Sequence, residues 1–528
     1  MPAPFASLWR PGSPATVQSR PLETSTCMQK LLPGSSPEAG YKSGPPAGAP
    51  FLNSTTSQQS LSIDPNMARV RRVFCFSGVF SLLALAVVVR SQQGGVSGGF
   101  VRRQGAEFVL GGSPFLFNGF NSYWMMHVAA EPGERQKVSD VFREAAAAGL
   151  SVCRTWAFSD GSDRALQVSP GVYDEQIFQS LDFVVSEARR YGIRLILSLV
   201  NNFDDFGGRQ QYVQWARSAG ISINSNDDFY TNTVVKGYYR NHVKRVVTRY
   251  NTITKVMYKD DPTIMAWELI NEPRCQADYS GRTVNAWAQE MAAYTKSLDS
   301  NHLLEVGMEG FYGDSTPEKQ QYNPGYQVGT DFISTNLISE VDFATIHAYP
   351  DIWLSGQTDG SQDSFVQRWM WSHWQDAMKV LKKPLVFAEF GKSKKDPGYT
   401  IAERNAYIDI VYGDIYNFAR SGGAFGGGLV WQIMAEGMDS YYDGYEIVLS
   451  QDATTDGVIA RQSHLMTALS HTLSRPHGST LGAAADLKAA QELSRQQPHP
   501  VHRPSSRSLR RHGRRLGRPA RSETPPSK

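Results

Sequence analysis

Short apolar runs alternate with longer amphipathic stretches between residues 98 and 473. The apolar runs 115–121, 152–157, 193–200, 264–271, 303–309, 343–349, 384–390 and 427–433 predict strands. The stretches 138–149, 177–191, 229–250, 284–298, 364–382 and 402–421 repeat their apolar positions at helical spacing. Strand and helix in alternation build βαβ units, and eight such strands predict an α/β fold, a (β/α)8 TIM barrel with insertions. An open doubly wound sheet is the competing arrangement. It is disfavoured because no Gly-rich phosphate turn follows the first strand.

The strand runs share a second feature: they finish in residues able to do chemistry. Arg154 and Trp156, Asn201 and Asn202, Asn271 and Glu272, Glu309, His347 and Tyr349, Glu389, and Trp431 all stand at or just past a run. In a barrel the C-terminal strand ends open onto one face, so residues far apart in sequence converge there. Any one of them alone has a structural reading. Their joint placement points to a pocket.

The flanks differ in kind from this body. Residues 1–66 are rich in Pro, Ser, Gly and Thr without a period and read as a disordered extension, with Met67 the expected start. Met67–Arg72 is basic, and residues 73–89 form an uncharged apolar run closed by Arg90. That layout fits both a cleaved secretion signal and a signal anchor, so 67–97 is assigned as targeting segment and linker. The expectation is a secreted, cell-wall location, with a membrane-anchored chain and a lumenal catalytic domain as the alternative. From 474 to 528 the chain becomes a basic tail, expected to be disordered.

Charge sharpens the division. The net charge of +3 conceals +5 over residues 1–97, +9 over 495–528 and −11 over the stretch between them. An acidic body argues against nucleic acid as its ligand, because phosphate binding needs a positive face. The four cysteines, Cys27, Cys75, Cys153 and Cys275, show neither CxxC nor zinc spacing. A disulfide and free thiols both remain open for Cys153 and Cys275. Asp204 and Asp205 lack a third ligand at metal spacing and read as loop or substrate contacts.

Two carboxylates carry the candidate chemistry. Glu272 closes Trp267-Glu-Leu-Ile-Asn-Glu-Pro273, and Glu389 closes Leu385-Val-Phe-Ala-Glu-Phe-Gly391. Burial raises a carboxyl pKa, whereas nearby positive charge lowers it. Opposed environments would equip such a pair for glycoside hydrolysis, one protonating the leaving oxygen while the other attacks. Trp124, Trp156, Trp353 and Trp431 are candidate platforms for sugar rings. Trp267, Trp369, Trp371 and Trp374 read as packing.

Further segments carry a resemblance. They include Gly105–Met126, Val152–Gly161, Asn201–Trp215 (NNFDDFGGRQQYVQW), Trp267–Cys275 (WELINEPRC), Glu305–Gly313, His347–Trp353 and Phe387–Lys392. In this order they resemble the plant-type endo-β-1,4-mannanases of glycoside hydrolase family five. The resemblance implies retaining hydrolysis of β-1,4-mannosidic linkages in mannan, glucomannan or galactomannan. Glu272 matches the acid/base and Glu389 the nucleophile. Asn271 matches the residue on the sugar 2-hydroxyl, and Arg154 and Tyr349 match the groups bonded to the nucleophile. His347 matches a polar partner beside Tyr349, and Trp431 the platform under the attacked sugar. Arg154 is expected to lower the pKa of Glu389. No metal and no other cofactor is expected, and the expected state is a monomer whose partner is the polysaccharide. Transfer of the mannan chain to another sugar, cleavage of β-1,4-glucan, and a non-catalytic wall-polysaccharide binder are the alternatives.

Overall fold

The computed structural model describes residues 99–161 and 163–474. The expectations for 1–66, the apolar run 73–89 and the tail from 475 lie outside the described residues. Among the described residues, no helix is long and apolar enough to cross a membrane.

Eight parallel strands form the centre: β1 (Phe117–Asn121), β2 (Val152–Trp156), β3 (Arg194–Ser198), β4 (Ile264–Glu268), β5 (Leu303–Glu305), β6 (Ala344–Ala348), β7 (Leu385–Phe390) and β8 (Phe425–Val430). They pair in the order β5-β4-β3-β2-β1-β8-β7-β6. Two backbone bonds span the remaining gap, Asp342 N–H to the Leu304 carbonyl at 2.7 Å and His347 N–H to the Glu309 carbonyl at 2.9 Å. With a principal helix after each strand, this is a (β/α)8 barrel. The helices are α1 (Arg135–Ala147), α2 (Glu175–Tyr191), α3 (Thr233–Val247), α4 (Arg282–Leu298), α5 (Phe332–Asn336), α6 (Asp359–Asp376), α7 (Ile401–Arg420) and α8 (Ala453–Leu473).

Strand alternation sorts the core into layers. Cys153, Leu195, Leu197 and Trp267 point outward and join the helix faces in the largest apolar cluster. Val152, Ile196, Ala266, Leu303, Val386 and Leu429 point inward and fill the lower barrel. The N-terminal segment seals that end: Arg102–Gln104, Glu107–Leu110 and Ser113–Pro114 make a small antiparallel sheet. Its Phe108 packs edge-on to Phe343 at 5.3 Å. The opposite end is polar and holds the site.

Several elements differ from expectation. The helix expected over 229–250 breaks at Asn232, whose side chain accepts from Val234 N–H and Val235 N–H at 3.0 and 3.2 Å. An Asn in that position competes with the helix and starts a new one instead. The helix Gly208–Ser218 and α8 were not anticipated. β5 ends at Glu305 rather than 309, because Gly307 takes φ 87° and turns the chain out of the ladder. A Cβ at Gly307 would stand 2.0 Å from the Ile270 carbonyl oxygen.

Candidate active site

Register builds the site before any side chain is considered. Asn121 lies beside Arg154, Ser198 beside Glu268, Glu268 beside Glu305, and His347 beside Glu389. Neighbouring strands thus place polar residues at one height, facing inward. The barrel mouth is a ring of polar groups over an apolar floor.

Arg154 is the hub of that ring and is fully buried. Its Nε and Nη2 donate to the two oxygens of Glu268 at 2.5 and 2.7 Å. Nη2 also donates to Asn271 Oδ1 at 2.6 Å, and Nη1 to Asn121 Oδ1 at 3.1 Å and Glu389 Oε1 at 2.6 Å. The other oxygen of Glu389 accepts from Tyr349 Oη at 2.6 Å. Both carboxylate oxygens of Glu389 are therefore held, which aims the group. Asn271 donates in turn to Asn201 Oδ1 at 3.0 Å.

Glu272 has a different partner. His347 Nδ1 lies 2.7 Å from Glu272 Oε1 and 3.7 Å from Glu389 Oε1. His347 is thus joined to Glu272 and bridges toward Glu389, whereas the sequence paired it with Tyr349. Glu272 adopts φ 49°, the left-handed region that non-glycine residues rarely occupy. Its N–H donates to the Gly307 carbonyl at 2.8 Å, which helps hold that backbone. Strain of this kind gathers at working sites.

The electrostatics depart from the opposed environments expected of the pair. Burial raises the pKa of Glu272. Burial also raises that of Glu389, although His347 and Arg154 pull the other way. Arg154 does favour the carboxylate as expected, but desolvation outweighs it. Burial lowers the pKa of His347, so the imidazole is neutral at pH 7. What separates Glu272 from Glu389 is hydrogen bonding: Glu389 takes two donors that favour its anion, and Glu272 faces a neutral imidazole.

Glu272, His347 and Glu389 each contribute an atom within 4.8 Å of the others, the one such trio of possible metal ligands among the described residues. A cation seated there would meet the Arg154 guanidinium already on Glu389. The trio is better suited to moving protons. A spacing of about 5 Å between carboxyl groups is that of retaining glycosidases, against about 6.5–9.5 Å in inverting ones.

Of the aromatic candidates, Trp431 and Trp156 reach the mouth, in a cluster with Phe158 and Tyr445. Tyr123 stacks on Trp431 at 5.7 Å and 10°, and Trp431 Nε1 donates to Asp443 Oδ2 at 2.8 Å. Trp156 has the Arg154 guanidinium 5.0 Å from its ring centroid and Phe158 stacked at 5.4 Å, so it supports the cluster. Trp124 is a correction. It is fully buried among apolar residues with Nε1 on the Ile433 carbonyl at 3.1 Å, leaving no face for a sugar. Trp353 packs between Phe311 and Trp369. Trp371, read as packing, is 49% exposed. Cys153 and Cys275 are both buried free thiols. Asp205, on the loop after β3, is pushed up to about 6 by burial beside Asp204.

Residues 98–438 match the sequence profile described as GH family 5 beta-mannosidase-like. The chain belongs to glycoside hydrolase family 5. Its similarity to other members is extensive. It is 64% identical over 410 residues to mannan endo-1,4-beta-mannosidase 5 of Solanum lycopersicum, covering 77% of this chain and 99% of that one. It is 57% identical over 406 residues to mannan endo-1,4-beta-mannosidase 1 of Oryza sativa subsp. japonica, covering 75% and 94%. The crystal structure of the endo-1,4-beta-mannanase of Rhizomucor miehei superposes with a TM-score of 0.60 at 32% identity, covering 70% of this chain and 99% of that one. Family 5 membership agrees with both the barrel and its paired carboxylates.

Sequence reading passed over Glu268, Glu305 and Asn121, which hold or surround Arg154. The signal was present: each is a polar residue inside an otherwise apolar strand, where burial demands a partner.

Proposed function

We propose that this family 5 enzyme is an endo-β-1,4-mannanase that cleaves mannan-type polysaccharide with retention of configuration. The single observation carrying the reading is the pair Glu272 and Glu389, within 4.8 Å and differently held. Relatives named as mannan endo-1,4-beta-mannosidases, matched over nearly their whole length, support the substrate class.

In this reading Glu272, the carboxyl group that faces the neutral His347, gives its proton to the glycosidic oxygen as the bond breaks. Glu389, its anion favoured by the bonds from Arg154 and Tyr349, attacks the anomeric carbon through an oxocarbenium-like transition state. Glu272, now a carboxylate, removes a proton from water as that water displaces Glu389. The proton returns to Glu272, and two inversions leave the configuration unchanged. Asn271, with one amide hydrogen beyond its bond to Asn201, is placed to bond the 2-hydroxyl. The neutral His347 keeps its 2.7 Å Nδ1 contact to Glu272, which orients the carboxyl group as it alternates between acid and base. Trp431 offers an apolar face to the sugar being attacked.

The test is a reducing-sugar assay on linear mannan, glucomannan, galactomannan and cellulose, with NMR of the first-formed anomer. β-Anomer from mannan is expected; α-anomer, or cleavage of cellulose alone, overturns the reading. We extend the proposal to location and state: a monomer delivered by the secretory pathway to the cell wall, supported by the basic and apolar segment 67–89. N-terminal sequencing of secreted protein and its mass in solution test both parts.

A further inference from the structure

Glu268 and Glu305 are both fully buried, and the steps above give neither a task. They are register partners on the adjacent parallel strands β4 and β5, with side chains on the inward face. Glu268 faces Arg154 and Ser198, and Glu305 faces Gly307 N–H and Thr345. Tyr239 from α3, His347 from β6, Glu389 from β7 and Glu272 beyond β4 complete the titratable surroundings.

We infer that Glu268 and Glu305 share a single proton and act together as positioning residues: a neutral Glu305 clamps an ionised Glu268, which holds Arg154 against Glu389. The inference deepens the reading of Glu389 as nucleophile and rests on it.

Charge sets the number of protons. Abutting carboxylates away from water cannot both ionise, because desolvation and mutual repulsion act together. With Glu268 and Glu389 ionised, Arg154 leaves one net negative charge among these three groups. Ionising Glu305 would add a second with no cation to meet it.

Geometry decides which residue carries the proton. Glu268 accepts two short guanidinium bonds, the arrangement an ionised carboxylate makes with Arg. Glu305 divides its oxygens. Oε2 accepts from Gly307 N–H, and the Thr345 hydroxyl lies 3.4 Å from it but nearer, at 3.1 Å, to the Met308 carbonyl. Oε1 is buried and receives no donor from the described residues. A protonated carboxyl has this division, one oxygen accepting and one hydroxyl donating. The carboxylate within hydrogen-bonding reach of the Glu305 side chain is that of Glu268. Burial and the neighbouring Glu268 raise the pKa of Glu305, in keeping with that assignment.

The consequence reaches the reacting carbon through Arg154. A guanidinium is a rigid fork. Once Nε and Nη2 are fixed on Glu268, Nη1 has one direction left, and Glu389 Oε1 lies along it.

Infrared spectroscopy of the full chain, without substrate, tests the proton. The spectrum of wild type minus Glu305→Gln should show a protonated carboxyl C=O stretch at neutral pH; its absence overturns the inference. Because no substrate is present, this readout stands apart from the mannanase reading. Kinetics test the positioning. Glu305→Ala should lower kcat with little change in KM. Glu305→Gln, whose amide can donate to Glu268 as the acid does, should restore the rate and the wild-type pH profile. Glu268→Gln should lower kcat about a hundredfold, the cost of a slight misplacement. It should also move the acid limb of kcat/KM to lower pH, because Arg154 then acts on Glu389 alone. Equal losses in Glu305→Ala and Glu305→Gln, or an unmoved acid limb in Glu268→Gln, would remove the role. If Glu268→Gln does not fold, the Glu305 variants and the infrared difference still decide.

Discussion

Tyr349 donates its hydroxyl hydrogen to Glu389 Oε2 at 2.6 Å, on the oxygen that Arg154 leaves free. The bond favours the anion of a carboxyl group whose burial works the other way. Tyr349→Phe should therefore raise the Glu389 pKa further. The acid limb of kcat/KM should move to higher pH, with kcat at neutral pH falling about tenfold to a hundredfold. An unchanged acid limb would separate Tyr349 from the ionisation of Glu389.

Glu272 and Glu389 should fail differently. Glu389→Ala removes the attacking atom and should abolish turnover of every β-mannoside. Glu272→Ala removes only the proton donor, so an aryl β-mannoside with a good leaving group should still form the covalent intermediate. Added azide should then release it as the β-azide. Pre-steady-state release of the aryl alcohol measures the first step, and no burst in Glu272→Ala would reverse the assignment.

Trp431 has Tyr123 on one face and its indole N–H tied to Asp443, so its orientation is set before a sugar arrives. Trp431→Ala should lower kcat/KM on mannan about tenfold by removing stacking and loosening the cluster beneath. Trp124→Phe, at a core position, should instead lower the melting temperature and leave KM unchanged. Kinetics and calorimetry on the two variants distinguish platform from core.

Asp160 is fully buried, and desolvation pushes its pKa up from 3.8 to about 8. Between these values the folded chain keeps a proton that the unfolded chain has released. Stability contributed by this group therefore falls as pH rises toward about 8. Asp160→Asn, which keeps an acceptor for Gln167 at the 3.0 Å contact, should flatten the decline of melting temperature across that range. A variant whose melting temperature tracks wild type at every pH would show that Asp160 is already ionised.

Much of this was legible in the chain. The strand positions follow from apolar runs that barrel packing requires, and all eight appear within a few residues of where the pattern placed them. Arg154, Asn271, Glu272, His347, Tyr349, Glu389 and Trp431 meet at one mouth because parallel strands all end there. The misses have physical causes. Trp124 stands just past β1 as Trp156 closes β2, but sequence does not reveal which way a ring turns, and the Ile433 carbonyl captured it.

By itself, then, the sequence determined the periodicity, the fold that follows from it and the residues that share the barrel mouth, since local pattern and chain connectivity suffice for these. Tertiary structure alone decided who partners whom. Register set Glu305 beside Glu268 and His347 beside Glu389, and the turn at Gly307 ended β5 early. Burial then overrode Arg154 in the balance on Glu389. Those outcomes depend on distances between strands and on the exclusion of water, and neither is written in any single segment.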